Sequence, residues 1–219
     1  MSFILLNKPV GWTSHDAVAY VRKQLREKNP ANKKIKVGHA GTLDPFATGL
    51  LIIGVGREST KELDKFKALP KTYIATIKLG ETSDTQDKTG QISKGTAREY
   101  LNKEEILSTI NAFKGKQLQT PPMFSAKKID GKKLYELARQ GKEVERKACE
   151  IEIYEINLLE YSWPFLKIEV KCSAGTYIRS LANDIGEKLG TGAYCEELER
   201  TAIGEYNINN SLNINQLIL

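Results

Sequence analysis

Histidine and cysteine are scarce in this chain of 219 residues, which contains two histidines and three cysteines. Two histidines are too few for a metal site built from several imidazole ligands. The cysteines are odd in number, widely separated and without a CxxC pair, so neither a disulfide framework nor a cysteine zinc site is expected. The sequence therefore predicts a protein without a bound metal.

Long apolar runs are also absent. The apolar runs are short, such as those at residues 3–6 and 50–53, whereas a helix that crosses a bilayer needs about 20 consecutive apolar residues. The amino-terminal segment lacks the basic stretch and apolar core of a secretory signal peptide. We therefore expect a cytoplasmic protein that does not enter a membrane.

The composition is that of an ordinary globular protein, 40% hydrophobic and 27% charged, and the net charge is +6. A basic balance agrees with a polyanionic partner, but many basic proteins bind nothing anionic, so charge alone does not identify nucleic acid as the ligand. Basic clusters occur at residues 33–36, 127–133 and 139–147.

Hydrophobic periodicity predicts five strands, at residues 3–6, 50–55, 72–79, 150–161 and 165–172. It also predicts helices over residues 14–28 with Ser14 as the N-cap, after the capping-box spacing of residues 59–62, from Asn102 to Gly115, around residues 134–138, and over residues 178–189 before Gly190. The strands and helices do not alternate as regular βαβ units. The pattern therefore favours an α+β fold over a doubly wound sheet.

The most informative stretch is residues 38–49, with the sequence GHAGTLDPFATG. Its glycines allow tight turns, and Pro45 stiffens the backbone directly after Asp44. A carboxylate held rigidly beside a buried strand suits a nucleophile, but Asp-Pro pairs also close ordinary turns. On local features alone, the turn-closing role of Asp44 is the favoured interpretation.

The same stretch resembles the catalytic motif of the TruB family of bacterial tRNA pseudouridine synthases, G-H-x-G-x-L-D-P-x-A-x-G-x-L, and matches every fixed position through Leu51. Further blocks that resemble this family follow in order along essentially the whole chain, at residues 6–14, 71–73 with 79–87, 121–141 and 172–179. The resemblance reverses the interpretation of Asp44, which becomes the expected nucleophile.

The resemblance implies a pseudouridine synthase fold, with a mixed, mainly antiparallel central sheet flanked by helices and a thumb loop at about residues 120–147 that grips RNA. We expect one catalytic domain over residues 1–219. Many family members continue into an RNA-binding PUA domain, but few residues follow Gly204, so no such domain is expected.

The implied activity is the isomerisation of uridine 55 in the T loop of tRNA to pseudouridine, by base flipping followed by cleavage and re-formation of the glycosidic bond. Only bonds of the nucleoside change, so no cofactor is expected. An aspartate suits this chemistry as carboxylates suit glycosidases, but whether Asp44 attacks C1′, attacks C6 or abstracts the 2′ proton stays open. The T arm of tRNA is the expected partner of a monomer that needs no other protein.

The resemblance also assigns roles to individual residues. Arg179 is the expected ion-pair partner of Asp44, and Tyr73 is expected to pack against the uracil and to assist proton transfer. The simpler interpretations are a surface arginine and a core tyrosine. The remaining assignments are His39 in the space that the flipped base leaves, Tyr177 and Leu198 lining the pocket, and Lys61, Lys127 and Lys128 contacting phosphates.

One segment departs from the family pattern. The family usually has Leu-Arg-Arg where this chain has Leu198, Glu199 and Arg200, so one phosphate contact is expected to be lost. Three alternatives stay open: a non-catalytic RNA-binding protein on the same scaffold, a guide-dependent synthase of the dyskerin type, and an N-ribosyl hydrolase with an aspartate nucleophile.

Overall fold

The computed structural model describes residues 2–29, 34–96, 101–125, 127–129, 131–138, 140–142 and 144–217. In chain order its elements are β1 (Ser2–Lys8), α1 (Ser14–Lys28), β2 (Val37–Ala40), β3 (Thr48–Val55), α2 (Gly56–Ala68), β4 (Lys71–Leu79), β5 (Glu81–Ser83), β6 (Ile92–Lys94), α3 (Lys103–Asn111), β7 (Gly115–Gln119), β8 (Lys128–Ile129), β9 (Lys132–Lys133), α4 (Leu134–Ala138), β10 (Cys149–Ser162), β11 (Phe165–Cys172), α5 (Ile178–Leu189), β12 (Ala193–Ile203) and β13 (Tyr206–Asn207).

The chain divides into two compact units. The first unit contains residues 1–74 and 198–219, and the second contains residues 75–197. Strands β4 and β12 run from one unit into the other. The expectation of a single catalytic domain stays a prediction.

Strand β3 is the centre of the first unit, where the strand order is β1, β3, β12, β4. It pairs antiparallel with β1 along its whole length and with β2 along residues 52–55. Its pairing with β12 is parallel, with Thr48 opposite Glu199 and Gly49 opposite Arg200. Strand β3 is also a continuous hydrophobic run, as is typical of a strand that is covered on both faces and does not need polar alternation.

Successive residues of β3 pack on opposite faces of the sheet. Leu51 and Ile53 belong to an apolar cluster with Val18 and Val21 of α1. Leu50 and Ile52 belong to a second cluster, which contains Leu63 of α2. One strand is therefore covered by a helix on each side, as expected for an α+β protein.

Two predicted helix starts are wrong. The N-cap of α1 is Thr13, which forms a capping box with Asp16, and Ser14 is buried as the first helical residue. Helix α2 begins at Gly56, three residues before the predicted capping box, and Ser59 is buried inside it. The Ser59 hydroxyl accepts a hydrogen bond from the backbone of Ser2 instead, so a tertiary contact explains this serine.

In the second unit the strand order is β4, β11, β10, β7. The predicted strands at residues 150–161 and 165–172 are confirmed as the antiparallel pair β10 and β11. The helix predicted at residues 178–189 is confirmed as α5, which ends at Gly190 in the left-handed conformation, with φ of 71°. The short helix at residues 134–138 is also confirmed. Ala126 and Arg139 of the resemblance lie outside the described residues.

The fold class is α+β with a mixed, mainly antiparallel sheet, as predicted. Three of its larger strands were not predicted, namely β2, β7 and β12. No described helix has the length and apolar character that a membrane span requires.

Candidate active site

Asp44 lies in the loop that joins β2 to β3 in the first unit. Three contacts hold the backbone of this loop. The Leu43 amide donates to the Ser14 hydroxyl at 2.8 Å, the Pro45 carbonyl accepts from the Gly11 amide at 2.8 Å, and the Asp44 carbonyl accepts from the Ala47 amide at 3.1 Å. The Asp44 carbonyl therefore closes the turn, and the Asp44 carboxylate is half-buried.

Arg200 connects the start of the same loop to strand β3. Its side chain is 1% exposed, and its guanidinium donates to the Leu50 carbonyl at 2.8 Å and to the Gly41 carbonyl at 3.1 Å. A buried guanidinium is tolerated only where its donors find acceptors. The carbonyls of Gly41 and Leu50 are those acceptors. The buried cation therefore needs this backbone geometry, and the cation in turn holds the backbone in place.

Lys8 is a second buried cation of the first unit. It is fully buried at the end of β1, and its ammonium donates to the carbonyls of Pro9 at 2.9 Å and Trp12 at 2.6 Å. Burial lowers the pKa of Lys8 to about 8, the Asp44 carboxylate opposes this change, and the Arg200 charge adds to it. Lys8, Arg200 and Asp44 therefore form one electrostatic group.

The sequence analysis gave no role to Lys8 or Arg200. A weak signal was present for each: Lys8 stands in the block at residues 6–14, and Arg200 stands two positions after Leu198, on the same face of a strand. Charged residues normally indicate a solvated face, which is why β12 itself was missed.

His39 lies on strand β2, opposite Ile53. It is half-buried, and its Nδ1 is buried without a hydrogen-bond partner among the described residues. Burial lowers the pKa of His39, and the positive charges of Lys67 and Arg200 lower it further. The imidazole is therefore held neutral near physiological pH.

Three other predicted residues belong to the first unit. Tyr73 on β4 and Leu198 on β12 are buried, on strands that neighbour each other. Lys61 is exposed on α2, with its ammonium 3.9 Å from the Glu58 carboxylate. Tyr73 and Leu198 are therefore core residues of neighbouring strands, and their role in a pocket stays a prediction. The position of Lys61 is that of a solvated charge.

Arg179 is buried at the start of α5 in the second unit, with 3% of its surface exposed. Its guanidinium donates to the carbonyls of Thr85 and Phe124, each at 2.8 Å, and lies 3.5 Å from the Asp87 carboxylate. Asp87, the last residue of the block at residues 79–87, is itself buried and accepts from the Thr89 amide at 2.9 Å. The ion pair between Arg179 and Asp44 stays a prediction, since the two residues belong to different units.

The remaining predicted residues also belong to the second unit. The backbone of Tyr177 is fixed by Gln119, whose side chain accepts from the Tyr177 amide at 2.8 Å and donates to its carbonyl at 3.0 Å. Lys127 is half-buried, and its ammonium donates to the Cys149 sulfur at 2.8 Å. Lys128 lies in β8. Among the described residues, no three His, Cys, Asp or Glu side chains are grouped so that they could hold a metal ion.

Comparison with protein families gives two consecutive matches. The model for the N-terminal domain of TruB family pseudouridylate synthases matches residues 26–178, and the model for the C-terminal domain of tRNA pseudouridylate synthase B matches residues 179–218. The relatives include tRNA pseudouridine synthase B of Parabacteroides distasonis, 49% identical over 94% of this chain and 87% of that protein. The protein of the same name from Geobacter sulfurreducens is 45% identical over 98% of this chain and 68% of its own length.

Two solved structures share the fold. The Cbf5-Nop10-Gar1 complex contains a chain that is 29% identical, with a TM-score of 0.73, and the H/ACA RNP bound to a substrate RNA containing 2′-deoxyuridine contains one that is 26% identical, with a TM-score of 0.71. Both matches cover 99% of this chain, which spans about half of each of those chains, 53% and 52%. The expected pseudouridine synthase fold is confirmed.

Proposed function

Because the chain belongs to the TruB family of pseudouridylate synthases, we propose that it isomerises uridine 55 in the T loop of tRNA to pseudouridine, with Asp44 as the nucleophile. The observation that carries the proposal is the environment of Asp44. Its loop is fixed by Arg200 and by contacts to Ser14 and Gly11, and its carboxylate interacts with the buried Lys8.

This environment suits a carboxylate that must react at a nucleoside. A cation close to a carboxylate favours its ionised form, which is the nucleophilic one. A loop that is already ordered adds no cost of reorganisation when the substrate binds. The net reaction moves the ribose carbon C1′ from N1 to C5 of uracil and one proton from C5 to N1, so no external reactant is consumed.

The other residues take the roles that the family resemblance implies. Arg179 pairs with the Asp44 carboxylate, and Tyr73 packs against the uracil. His39 fills the space that the flipped base leaves, for which a neutral imidazole is well suited because it stacks without carrying an ionic charge into the bases. The partner is the T arm of tRNA, gripped by residues 120–147, and the enzyme acts in the cytoplasm as a monomer.

The test is to incubate the protein alone with an unmodified tRNA transcript and to map pseudouridine at single-nucleotide resolution. We expect one modified position in the T loop, and none with Asp44→Asn. A non-catalytic RNA-binding protein would leave the transcript unchanged. A guide-dependent synthase would act only after a guide RNA is added, and an N-ribosyl hydrolase would release free uracil and leave an abasic site.

A further inference from the structure

A cleft in the first unit is lined by cations that the mechanism does not use. It has a volume of about 960 Å³, and five of its lining residues are basic, namely Arg22, Arg26, Lys34, Lys36 and Lys67. We call this feature the basic cleft. None of the described residues that line it is acidic, so its charge is not neutralised from within.

Protein stability gives no reason for this grouping. Arg26, Lys34, Lys36 and Lys67 are exposed, and like charges held near each other repel and destabilise the folded state. Within the part of the chain that the structure describes, two of the five cations have a partner: Arg22 donates to the Val37 carbonyl at 3.3 Å, and Lys67 pairs with Asp64 at 2.8 Å. An anionic ligand would offset the repulsion that remains.

The basic cleft is continuous with the loop that carries Asp44. His39, Gly41 and Thr42 form part of its lining, and Thr42 stands two residues before Asp44 in the sequence. The charge of Lys67 acts on the His39 imidazole, so the basic side chains and the predicted base-replacing residue share one space. A ligand in the cleft would therefore lie next to the substrate of Asp44.

We infer that the basic cleft binds the sugar–phosphate backbone of the T arm, on the strand next to the uridine that Asp44 modifies. The inference rests on the proposed function, because it takes the substrate to be RNA. Lysine and arginine at phosphates fix the position of a nucleic acid without reading its sequence. A repeating polyanion also suits the cleft better than a single phosphate does, because its cations come from α1, from residues 34–36 and from α2.

The test compares two double variants of equal charge. Arg26→Gln with Lys67→Gln removes one cleft cation from α1 and one from α2. Lys23→Gln with Lys65→Gln removes one exposed cation from each of the same helices, outside the cleft lining. The control removes two exposed ion pairs, with Glu27 and Glu62, whereas the test variant removes one, with Asp64, so a change confined to the test variant cannot come from lost ion pairs.

Binding to an isolated T-arm hairpin and to a full tRNA transcript is measured over a range of salt concentrations, in the Asp44→Asn background so that no turnover occurs. For two lost phosphate contacts, the slope of log Kd against log salt should fall by roughly 1.4–1.8 on both RNAs. The control should keep the wild-type slope.

Equal slopes for the two double variants would overturn the inference. A loss confined to the full transcript would overturn it as well, because the contacted phosphates would then lie outside the T arm. Pseudouridine mapping with Asp44 intact runs in parallel. If it found no product while the slopes changed as expected, the proposed function would fail and the RNA-binding role of the cleft would stand.

Discussion

Gly49 and Arg200 lie opposite each other in the parallel pairing of β3 and β12, so closely that a Cβ atom on Gly49 would lie 2.4 Å from the carbonyl oxygen of Arg200. Gly49 also has φ of 108°, a conformation that residues with a side chain rarely adopt. The absence of a side chain here lets Arg200 approach the strand and reach the carbonyls of Gly41 and Leu50. The last glycine of the motif therefore acts in packing.

Gly49→Ala should lower the free energy of unfolding by roughly 3 kcal/mol, from left-handed strain and the backbone clash together. Gly56→Ala is the matched control, because Gly56 also has a positive φ, 86°, but would meet no atom within 4 Å. The control should lose only the strain contribution of about 1–2 kcal/mol. Urea unfolding measures both values. Equal losses of the free energy of unfolding in the two variants would show that the close contact with Arg200 does not add to the destabilisation of Gly49→Ala.

Much of the fold can be predicted from the sequence because the regular spacing of apolar residues indicates which side chains are buried. The helix at residues 178–189 and the strands at residues 150–161 and 165–172 have regular apolar spacing, and all three are confirmed. Strand β12 was missed because its buried Arg200 looks like a surface residue until its carbonyl partners are known. The partners stand about 150 residues earlier in the chain, and no local pattern contains them.

The candidate site could likewise be predicted only where the evidence for it is local in sequence. A motif match identified Asp44, but it could not show that the loop is held by Ser14, Gly11 and Arg200. The capping-box prediction at residues 59–62 failed because Ser59 bonds to Ser2, a residue distant in sequence. Residue types predict which chemistry the site performs, whereas the position of the loop that carries Asp44 is fixed by tertiary contacts.

Asp44→Asn should abolish pseudouridine formation and leave the affinity for tRNA within about tenfold, or 1.4 kcal/mol. The amide has the shape of the carboxylate but is not a nucleophile, and the backbone contacts that hold the loop do not involve the side chain. Turnover is measured by mapping and affinity by filter binding. Measurable turnover in a preparation free of wild-type enzyme would show that another residue is the nucleophile.

Lys8 should make the stability of the protein depend on pH in the alkaline range. Below about pH 8 its ammonium is charged in the folded and the unfolded chain, and the folded protein bears the cost of burying it. Between pH 8 and the ordinary value of 10.5, the unfolded chain holds a proton that the folded chain has released. The contribution of Lys8 to the free energy of unfolding therefore rises with pH in this window.

The measurement is urea unfolding of the wild type and of Lys8→Met from pH 7 to pH 10.5. The stability of the wild type relative to the variant should be constant below pH 8 and then rise by up to roughly 3 kcal/mol. Lys23→Met, at a side chain that is 69% exposed, should show no such rise. If the curves of the wild type and Lys8→Met stay parallel throughout, the pKa of Lys8 is not lowered by burial.

Arg179→Lys should reduce kcat severely although the charge is kept. The guanidinium makes two hydrogen bonds and one ion pair in different directions, and a lysine cannot reproduce this planar set of donors. Asp87→Asn is the comparison, because it weakens the contact to Asp87 alone. If Arg179 also orients Asp44, as we predict, the arginine variant should lose far more kcat than the aspartate variant. Similar losses at similar stability would limit Arg179 to a structural role within the second unit.

His39→Ala should slow the enzyme more on a folded T arm than on an RNA in which the target uridine is already unstacked. The imidazole is neutral and half-buried on β2, and we expect it to stack in place of the flipped base and to take no part in bond cleavage. Extruding a stacked base costs a few kcal/mol, and extruding an unstacked one costs little. Removing the imidazole should raise this cost for the stacked base. The loss in kcat/KM should therefore largely disappear on the unstacked RNA. A loss of the same size on both RNAs would instead place His39 in the chemical step, because bond cleavage is common to the two substrates.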